Sequence, residues 1–246
     1  VSVLTAGEVS FHHTQLAALK ENYRDLSVGL VIVHDNALAD FLGSGQCVFE
    51  GAQGVLLDGD YGFHPHTTWS NTADRNPRHL CAIHHQRAPR VIGVTRAYTT
   101  RHGAGPLVTH DPTLNLPEAH FDPSWAGAWR AGHFDAVALK YALSGCDKVD
   151  GLYVTHLDTA AAEPTLKVCT AYDNPYLDNN QSFNPSNLNS RAMVTDLLNG
   201  CTPFLDPRPL DSWPESISKL LDLPLIGEGH GPATSDGKFF IDDGYN

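Results

Sequence analysis

Phe49-Glu50-Gly51-Ala52-Gln53-Gly54-Val55-Leu56-Leu57-Asp58, with His66-Thr67-Thr68-Trp69-Ser70-Asn71-Thr72 shortly after it, is the most telling text in the chain. The apolar run Cys47-Val48-Phe49 stops at a carboxylate, two glycines and an amide. A buried strand reads this way when its end opens into a polar pocket. Gly51 and Gly54 let a ligand approach the backbone closely. Gln53 offers a donor and an acceptor together, which suits the edge of a purine or an amide. The Thr/Ser/Asn cluster adds small hydrogen-bonding groups of the kind that suit a phosphate or a ribose.

Outward from that stretch, strands and helices alternate. Residues from about Leu16 to Leu42 mix helical periodicity with one strand-like run, Val28 to Val33, and a helix is expected from Asp35 to Leu42, closed by Gly43 and Gly45. Cys47–Phe49 is expected as a strand. Asp58–Pro89 is rich in His, Thr, Asn and Pro and reads as one long loop, of the kind that is functional or ordered by a ligand. Arg90–Arg101 reads as a strand ending at the turn His102-Gly103-Ala104-Gly105-Pro106. A loop with Pro112, Pro117 and Pro123 leads to a helix at about Asp135–Leu143, where Asp135 favours the positive helix end. Strands are expected at Gly151–Leu157 and Leu166–Tyr172, an irregular Asn-rich segment at Asp173–Asn189, and helices at Arg191–Leu198 and Ser216–Leu221. Gly227, Gly229 and Gly231 read as a turn before a terminal strand, Phe239–Ile241. This order predicts an α/β fold, a mainly parallel sheet flanked by helices, as a single domain over residues 1–246. In such sheets ligands sit at the carboxyl ends of strands, and each polar motif follows a predicted strand.

The 246 residues are 41% hydrophobic and 18% charged, ample for a core. A formal net charge of -12 argues against nucleic acid or an anionic membrane as partner. Cys47, Cys81, Cys146, Cys169 and Cys201 are odd in number and hold no C-x-x-C, as expected for reduced thiols of a cytoplasmic protein. No apolar run is long enough to span a bilayer and no signal peptide is visible. The chain starts at Val1, so a fragment, a processed product or a trimmed sequence is expected. His79, Cys81, His84 and His85, with His64 and His66 nearby, match no standard zinc spacing and read as a solvated loop, so no metal ligand is assigned.

Four blocks in order resemble the adenylosuccinate synthetase family: Phe49 to Asp58; Val91-Ile92-Gly93-Val94 through Tyr98 to Pro106; Gly132-His133-Phe134-Asp135-Ala136-Val137-Ala138; and Thr155-His156-Leu157-Asp158 with Lys167-Val168-Cys169-Thr170-Ala171-Tyr172. Weaker similarity at Gly229-His230-Gly231-Pro232 extends the likeness toward the C-terminus. The resemblance implies a fold related to P-loop NTPases and a GTP-dependent carbon–nitrogen ligase of purine biosynthesis. Such a ligase joins an amino acid, aspartate or an analogue, to IMP with Mg2+. GTP phosphorylates the purine 6-oxygen, and the amine then displaces that phosphate. A homodimer is also implied.

Residue by residue, the resemblance puts Gln53 at the purine base, Thr68 at the nucleotide phosphate and His102 near the ribose, with Asn71 and Arg101 grouped into the same IMP site. Asp158 matches an aspartate that accepts from both N1–H and the 2-amino group of guanine, a pair that adenine lacks. His156 stands where the family has lysine. Gly229, Gly231 and Pro232 match a second wall of the guanine pocket, and Arg130 is what remains of an arginine run that holds the amino acid. Apart from the resemblance, plainer roles stand beside these: a turn amide for Gln53, a helix N-cap for Asp158, loop hydrogen bonding for Thr68 and Asn71, and surface ion pairs for Arg101 and Arg130.

The family's Gly-rich, Lys-containing phosphate segment, which supplies a catalytic aspartate and a Mg2+ site, has no counterpart in residues 1–246. The amino-acid segment reads Trp125-Ala126-Gly127-Ala128-Trp129-Arg130-Ala131 instead of the family text. The expectation is therefore a chain that is inactive alone unless a further segment completes it, with a remodelled amine site. A nucleotide-binding relative or subunit without turnover is the alternative.

Overall fold

The computed structural model describes residues 6–28, 34–116, 127–174, 188–209 and 212–240. The chain divides into two compact units: Val1–Cys47 with His84–Gln86, and Val48–Ile83 with Arg87–Asn246. In the first, helix α1 spans Ala6–Val28 and helix α2 spans Asp35–Gly43. The latter agrees with the predicted helix and ends at Ser44, whose N–H donates to the Phe41 carbonyl. Val28 closes α1, and the rest of the strand expected at Val28 to Val33 lies outside the described residues.

The second unit holds the sheets. Strands β1 (Ile92–Arg96), β5 (Gly151–Thr155) and β8 (Leu225–Gly229) run parallel in the order β1-β5-β8, and β9 (Gly237–Phe239) closes that sheet antiparallel. β2 (Thr99–His102) pairs antiparallel with β3 (Trp129–Gly132). β4 (Phe134–Asp135) lies parallel to β6 (Lys167–Tyr172), which pairs antiparallel with β7 (Pro203–Pro207). The helices are α3 (Arg75–Ile83), α4 (Ala136–Ser144), α5 (Leu157–Ala162), α6 (Leu188–Asn199) and α7 (Trp213–Leu221). The fold is thus mixed α/β with a mainly parallel sheet.

Two buried clusters hold the unit together. Leu152 and Val154 of β5 pack with Leu157 and Ala160 of α5 and with Trp213, Ile217 and Leu221 of α7. The Trp213 indole N–H donates to the Ala97 carbonyl at 3.0 Å, which ties α7 to the link between β1 and β2. A smaller cluster of Phe63, Cys169, Tyr172 and Leu198 anchors the Gln53–Thr72 loop to β6 and α6.

The differences from the sequence expectation have local causes. Cys47–Phe49 is irregular, not a strand: among the described residues no strand pairs with it, and Val48 is exposed. The Asp58–Pro89 segment contains α3, masked in the sequence by His, Asn and Pro. Asp74 ahead of that helix pairs with Arg78 and accepts the Asp147 N–H at 3.2 Å, while Pro77 falls in the first turn, where it is tolerated. Gly227 and Gly229 lie in β8 and not in a turn: a Cβ at Gly227 would stand 2.6 Å from the Tyr153 ring and one at Gly229 3.4 Å, so the glycines make room for the aromatic. The Pro117–Pro123 loop, most of Asp173–Asn189 and Ile241 fall outside the described residues.

Asp135 caps α4, accepting the Ala138 N–H at 3.0 Å and the Tyr172 hydroxyl at 2.7 Å. Burial pushes its carboxyl up to about 6, which the bonds from Ala138 and Tyr172 only partly offset. A folded-state value above the unfolded 3.8 means stability that is full below that value and lost as pH rises through about 6. Asp135→Asn keeps a capping oxygen without the charge. In urea titrations, the stability difference between variant and wild type should swing in the variant's favour between those two pH values and stay flat above.

Candidate functional site

The loop from Gly51 to Thr72 is built around one carboxylate. Asp58 is 0% exposed. Its Oδ1 accepts the N–H groups of Asp60 at 2.8 Å and Tyr61 at 3.0 Å, and its Oδ2 accepts the Thr72 N–H at 2.6 Å. The Thr72 hydroxyl donates to the Gly54 carbonyl at 3.0 Å, the Thr68 N–H to the Leu57 carbonyl at 2.7 Å, and the Gly59 N–H to the Ser70 carbonyl at 2.9 Å. These bonds knot the Gln53 turn to the Thr68–Thr72 segment. Helices then fix the knot from outside: the Tyr141 hydroxyl donates to the Tyr61 carbonyl, Arg191 Nη1 to the Gly59 carbonyl and the Thr195 hydroxyl to the His64 carbonyl, each at 2.7 Å. The loop that the sequence reads as functional or ligand-ordered is held by the chain's own contacts.

On this platform Gln53 is exposed and sits at φ 61, a left-handed conformation that costs a non-glycine residue about 1 kcal/mol. Strain of that kind persists where the surroundings impose it. Thr68 and Asn71 are half-buried; the Asn71 Oδ1 is shut off from solvent and has no hydrogen-bond partner among the described residues. Trp69 between them is fully exposed.

Beside the platform lies a concentration of positive charge. Arg101 on β2 stands directly opposite Arg130 on β3. Arg101 is 6% exposed; its Nε donates to the Ala104 carbonyl and its Nη2 to the His66 carbonyl, both at 2.9 Å. Arg130 Nη2 donates to the carbonyls of Gly103 at 2.6 Å and Gly105 at 2.8 Å. Gly105 sits at φ 106, and a Cβ there would strike the Arg101 guanidinium, so only glycine fits the turn. Burial, reinforced by Arg130, pulls the Arg101 guanidinium down to about 10; burial lowers Arg130 as well. The His66 imidazole is also lowered, first by burial and then by Arg101, Arg130 and His64. Among the described residues both guanidiniums bond to backbone carbonyls, not carboxylates, so neither is the surface ion pair that the sequence left open. In a chain of net charge -12 this corner attracts anions. Exposed His102 meets the Trp129 indole edge-on at 4.8 Å, and Arg96 covers that indole at 5.3 Å.

The second group gathers where the parallel strands end. Arg96 pairs with Thr155 and Glu228 with Val154, so the C-terminal ends of β1, β5 and β8 lie side by side. His156 follows at φ 58 in the left-handed region. The Thr155 hydroxyl donates to the Thr95 carbonyl at 3.2 Å and shares a hydrogen bond with His156 Nδ1 at 3.0 Å. His156, not Asp158, occupies the N-cap position of α5. Asp158 lies in the first turn, exposed, and its carboxylate has no hydrogen-bond partner among the described residues. Gly229 packs against Tyr153 and the Thr155 backbone, Gly231 against the Asp236 carboxylate, and Pro232 is exposed.

The structure thus brings Gln53, Thr68 and Asn71 onto one platform, with Arg101 joined to it through His66 and Arg130 beside Arg101. His156, Asp158 and Gly229 gather at the sheet's carboxyl edge. Tyr98, two residues beyond β1, links the groups in sequence and meets His156 edge-on at 5.9 Å. Sequence reading missed Asp58, Arg191 and Thr195. The acid closing an apolar run before Gly-Asp-Tyr-Gly was a signal for an Asx-type turn, and the Arg191/Thr195 spacing of four marks one helix face. Mg2+, which the resemblance implies, finds no fitting donor set: no group of three His, Cys, Asp or Glu side chains converges among the described residues. No helix there is long and apolar enough to cross a membrane.

The family model for adenylosuccinate synthetase matches residues 4–224. An adenylosuccinate synthetase of Brevibacillus brevis is 38% identical over 198 residues, covering 76% of this chain and 43% of the relative. One from Desulfovibrio desulfuricans is 32% identical over 197 residues, covering 74% and 46%. The fully ligated adenylosuccinate synthetase of Plasmodium falciparum superposes with a TM-score of 0.65 at 19% identity, covering 83% of this chain and 53% of that one, a likeness of fold. The chain belongs to the adenylosuccinate synthetase family. It spans less than half the length of these two curated relatives.

The strain at Gln53 separates stability from binding. Gln53→Gly should raise the unfolding free energy by about 1 kcal/mol in urea melts, because glycine adopts φ 61 freely. Asp58→Asn should lower it by about 2–3 kcal/mol, because an amide nitrogen would face buried N–H donors.

Proposed function

We propose that this chain carries the purine-nucleotide sites of a GTP-dependent carbon–nitrogen ligase that joins an amino acid, aspartate or an analogue, to IMP. The observation that carries the proposal is Asp158. It is a carboxylate without a hydrogen-bond partner among the described residues, exposed just beyond the carboxyl end of a central parallel strand, where α/β sheets take their ligands. Such a carboxylate accepts from N1–H and the 2-amino group of guanine together and rejects adenine. His156 borders the same place. Gly229, Gly231 and Pro232 form the opposite wall in this proposal.

Gln53 then reads the hypoxanthine edge of IMP, Thr68 and Asn71 hold its phosphate side, and His102 lies toward the ribose. Arg101 works through the turn it organises. Arg130, with donors to spare, faces the amino-acid carboxylate. In the reaction the γ-phosphoryl group leaves GTP for the purine 6-oxygen, giving GDP. The amine then forms the new C–N bond at that carbon as phosphate departs and the amine loses a proton. The groups named here bind and orient; when bound, Mg2+ would neutralise phosphate charge. The proposed protein is a cytoplasmic homodimer without nucleic-acid or membrane partners.

The alternative reading is a purine-nucleotide-binding relative or subunit without turnover. Calorimetry with IMP and GTP tests what both readings share. Asp158→Ala should weaken guanine-nucleotide binding at least tenfold and leave IMP binding unchanged. Equal loss for both nucleotides would remove Asp158 from the proposal. GDP formation by the complete protein with IMP, GTP, Mg2+ and an amino acid separates ligase from binder.

A further inference from the structure

Helix α6 turns a partly polar face inward. Arg191 is 4% exposed and Thr195 2%, and Leu198 follows at the spacing of one helix face. A helix that packs for stability alone presents an apolar stripe. Of these three only Leu198 is apolar; it joins Phe63 and Tyr172 in the smaller cluster. The Arg191 guanidinium is buried, and among the described residues no carboxylate pairs with it. Its Nη1 donates to the Gly59 carbonyl at 2.7 Å, and its Nε has no partner there. A buried charge without an opposite charge costs stability, so its value lies in what it holds in place. A helical threonine ordinarily bonds back to its own helix. The Thr195 hydroxyl lies 3.1 Å from the Arg191 carbonyl but 2.7 Å from the His64 carbonyl of the loop.

Both bonds reach the part of the loop that supports the candidate ligand residues. The Gly59 N–H donates to the Ser70 carbonyl at 2.9 Å. A Cβ at Gly59 would stand 2.9 Å from the Thr68 carbonyl oxygen and 3.3 Å from that of Ser70. The Gly59 peptide thus lies directly on the Thr68–Ser70 backbone, with no side chain between them. Two residues beyond His64, the His66 carbonyl takes Arg101 Nη2 at 2.9 Å. Helix α6 therefore grips the loop at residues 59 and 64, while β2 grips it at residue 66. We propose that Arg191 and Thr195 are positioning residues for the ligand of the Gln53–Thr72 loop. Through the Gly59 and His64 carbonyls they set where Thr68 and Asn71 stand relative to Arg101, and with that the affinity for an anionic nucleotide. Neither side chain touches the ligand; both act through the loop backbone. The inference rests on the reading of Gln53, Thr68 and Asn71 as the IMP site. His156, Asp158 and Gly229 belong to the other group, so GTP binding is the internal control.

The test measures IMP and GTP binding by calorimetry, and amide hydrogen exchange, for the full chain and three variants. Arg191→Met keeps much of the bulk and removes the donors. Thr195→Val keeps the shape and removes the hydroxyl, and Thr195→Ser keeps the hydroxyl. Arg191→Met and Thr195→Val should each weaken IMP binding about tenfold and leave GTP binding unchanged. Thr195→Ser should bind IMP as the wild type does. Exchange of the Gly59 and Thr68 amides should quicken in the first two variants and stay unchanged in β5. If Arg191→Met does not fold, the Thr195 pair decides. Unchanged IMP affinity in Thr195→Val overturns the proposal. So does an equal loss for IMP and GTP, which would make α6 a support of the whole fold. A wild-type chain that does not bind IMP removes the IMP reading of the loop instead. Exchange then decides the positioning role by itself: quickening confined to residues 59–72 supports it, and unchanged exchange there overturns it.

Discussion

A carboxylate sealed from water governs the arrangement of the candidate site. Asp58 sits at zero exposure and accepts N–H groups from Asp60, Tyr61 and Thr72. Hydrogen bonds to a charged acceptor are roughly twice as strong as neutral ones, and leaving such a group without its donors is costly. The result is a closed loop whose two ends, the Gln53 turn and the Thr68–Thr72 segment, have no freedom to separate. Tyr141, Arg191 and Thr195 fasten the same loop to two helices through its carbonyls. A site that must hold small polar ligands gains from this arrangement, since the side chains on its outer surface need little further ordering when a ligand arrives.

The same economy appears in the β2–β3 ribbon. Two facing arginines would repel each other in an apolar interior. Here the carbonyls of residues 66, 103, 104 and 105 take up their donors, and Gly105 leaves room for the Arg101 guanidinium. The turn and the charges require one another. A strongly acidic chain thereby keeps a local positive field next to its polar loop, which is what an anionic ligand needs.

The sheet carries a different asymmetry. One side packs on α5 and α7, while on the other Ile92 and Val94 of β1 and Phe239 of β9 are exposed. His156 and Asp158 follow the carboxyl end of the central strand of this sheet.

Much of this was legible in the text of the chain. The α2, α4, α6 and α7 helices and the β1, β5 and β6 strands follow from periodicity and end signals, because local propensity and burial agree there. The four motif blocks identify the family, because ordered runs of polar and glycine residues are rare by chance. What the chain could not declare in one dimension depends on partners far away in sequence. Cys47–Phe49 has strand composition but, among the described residues, no strand beside it. Gly227 and Gly229 read as a turn until the Tyr153 ring is laid across them. Arg101 and Arg130 became a facing pair through β2–β3 register, and Asp58 became the centre of a loop through Thr72. Sequence determined which residues can form bonds and which prefer to be buried; tertiary structure decided who bonds to whom, because hydrogen bonds and close packing act over a few ångströms of space and not along the chain.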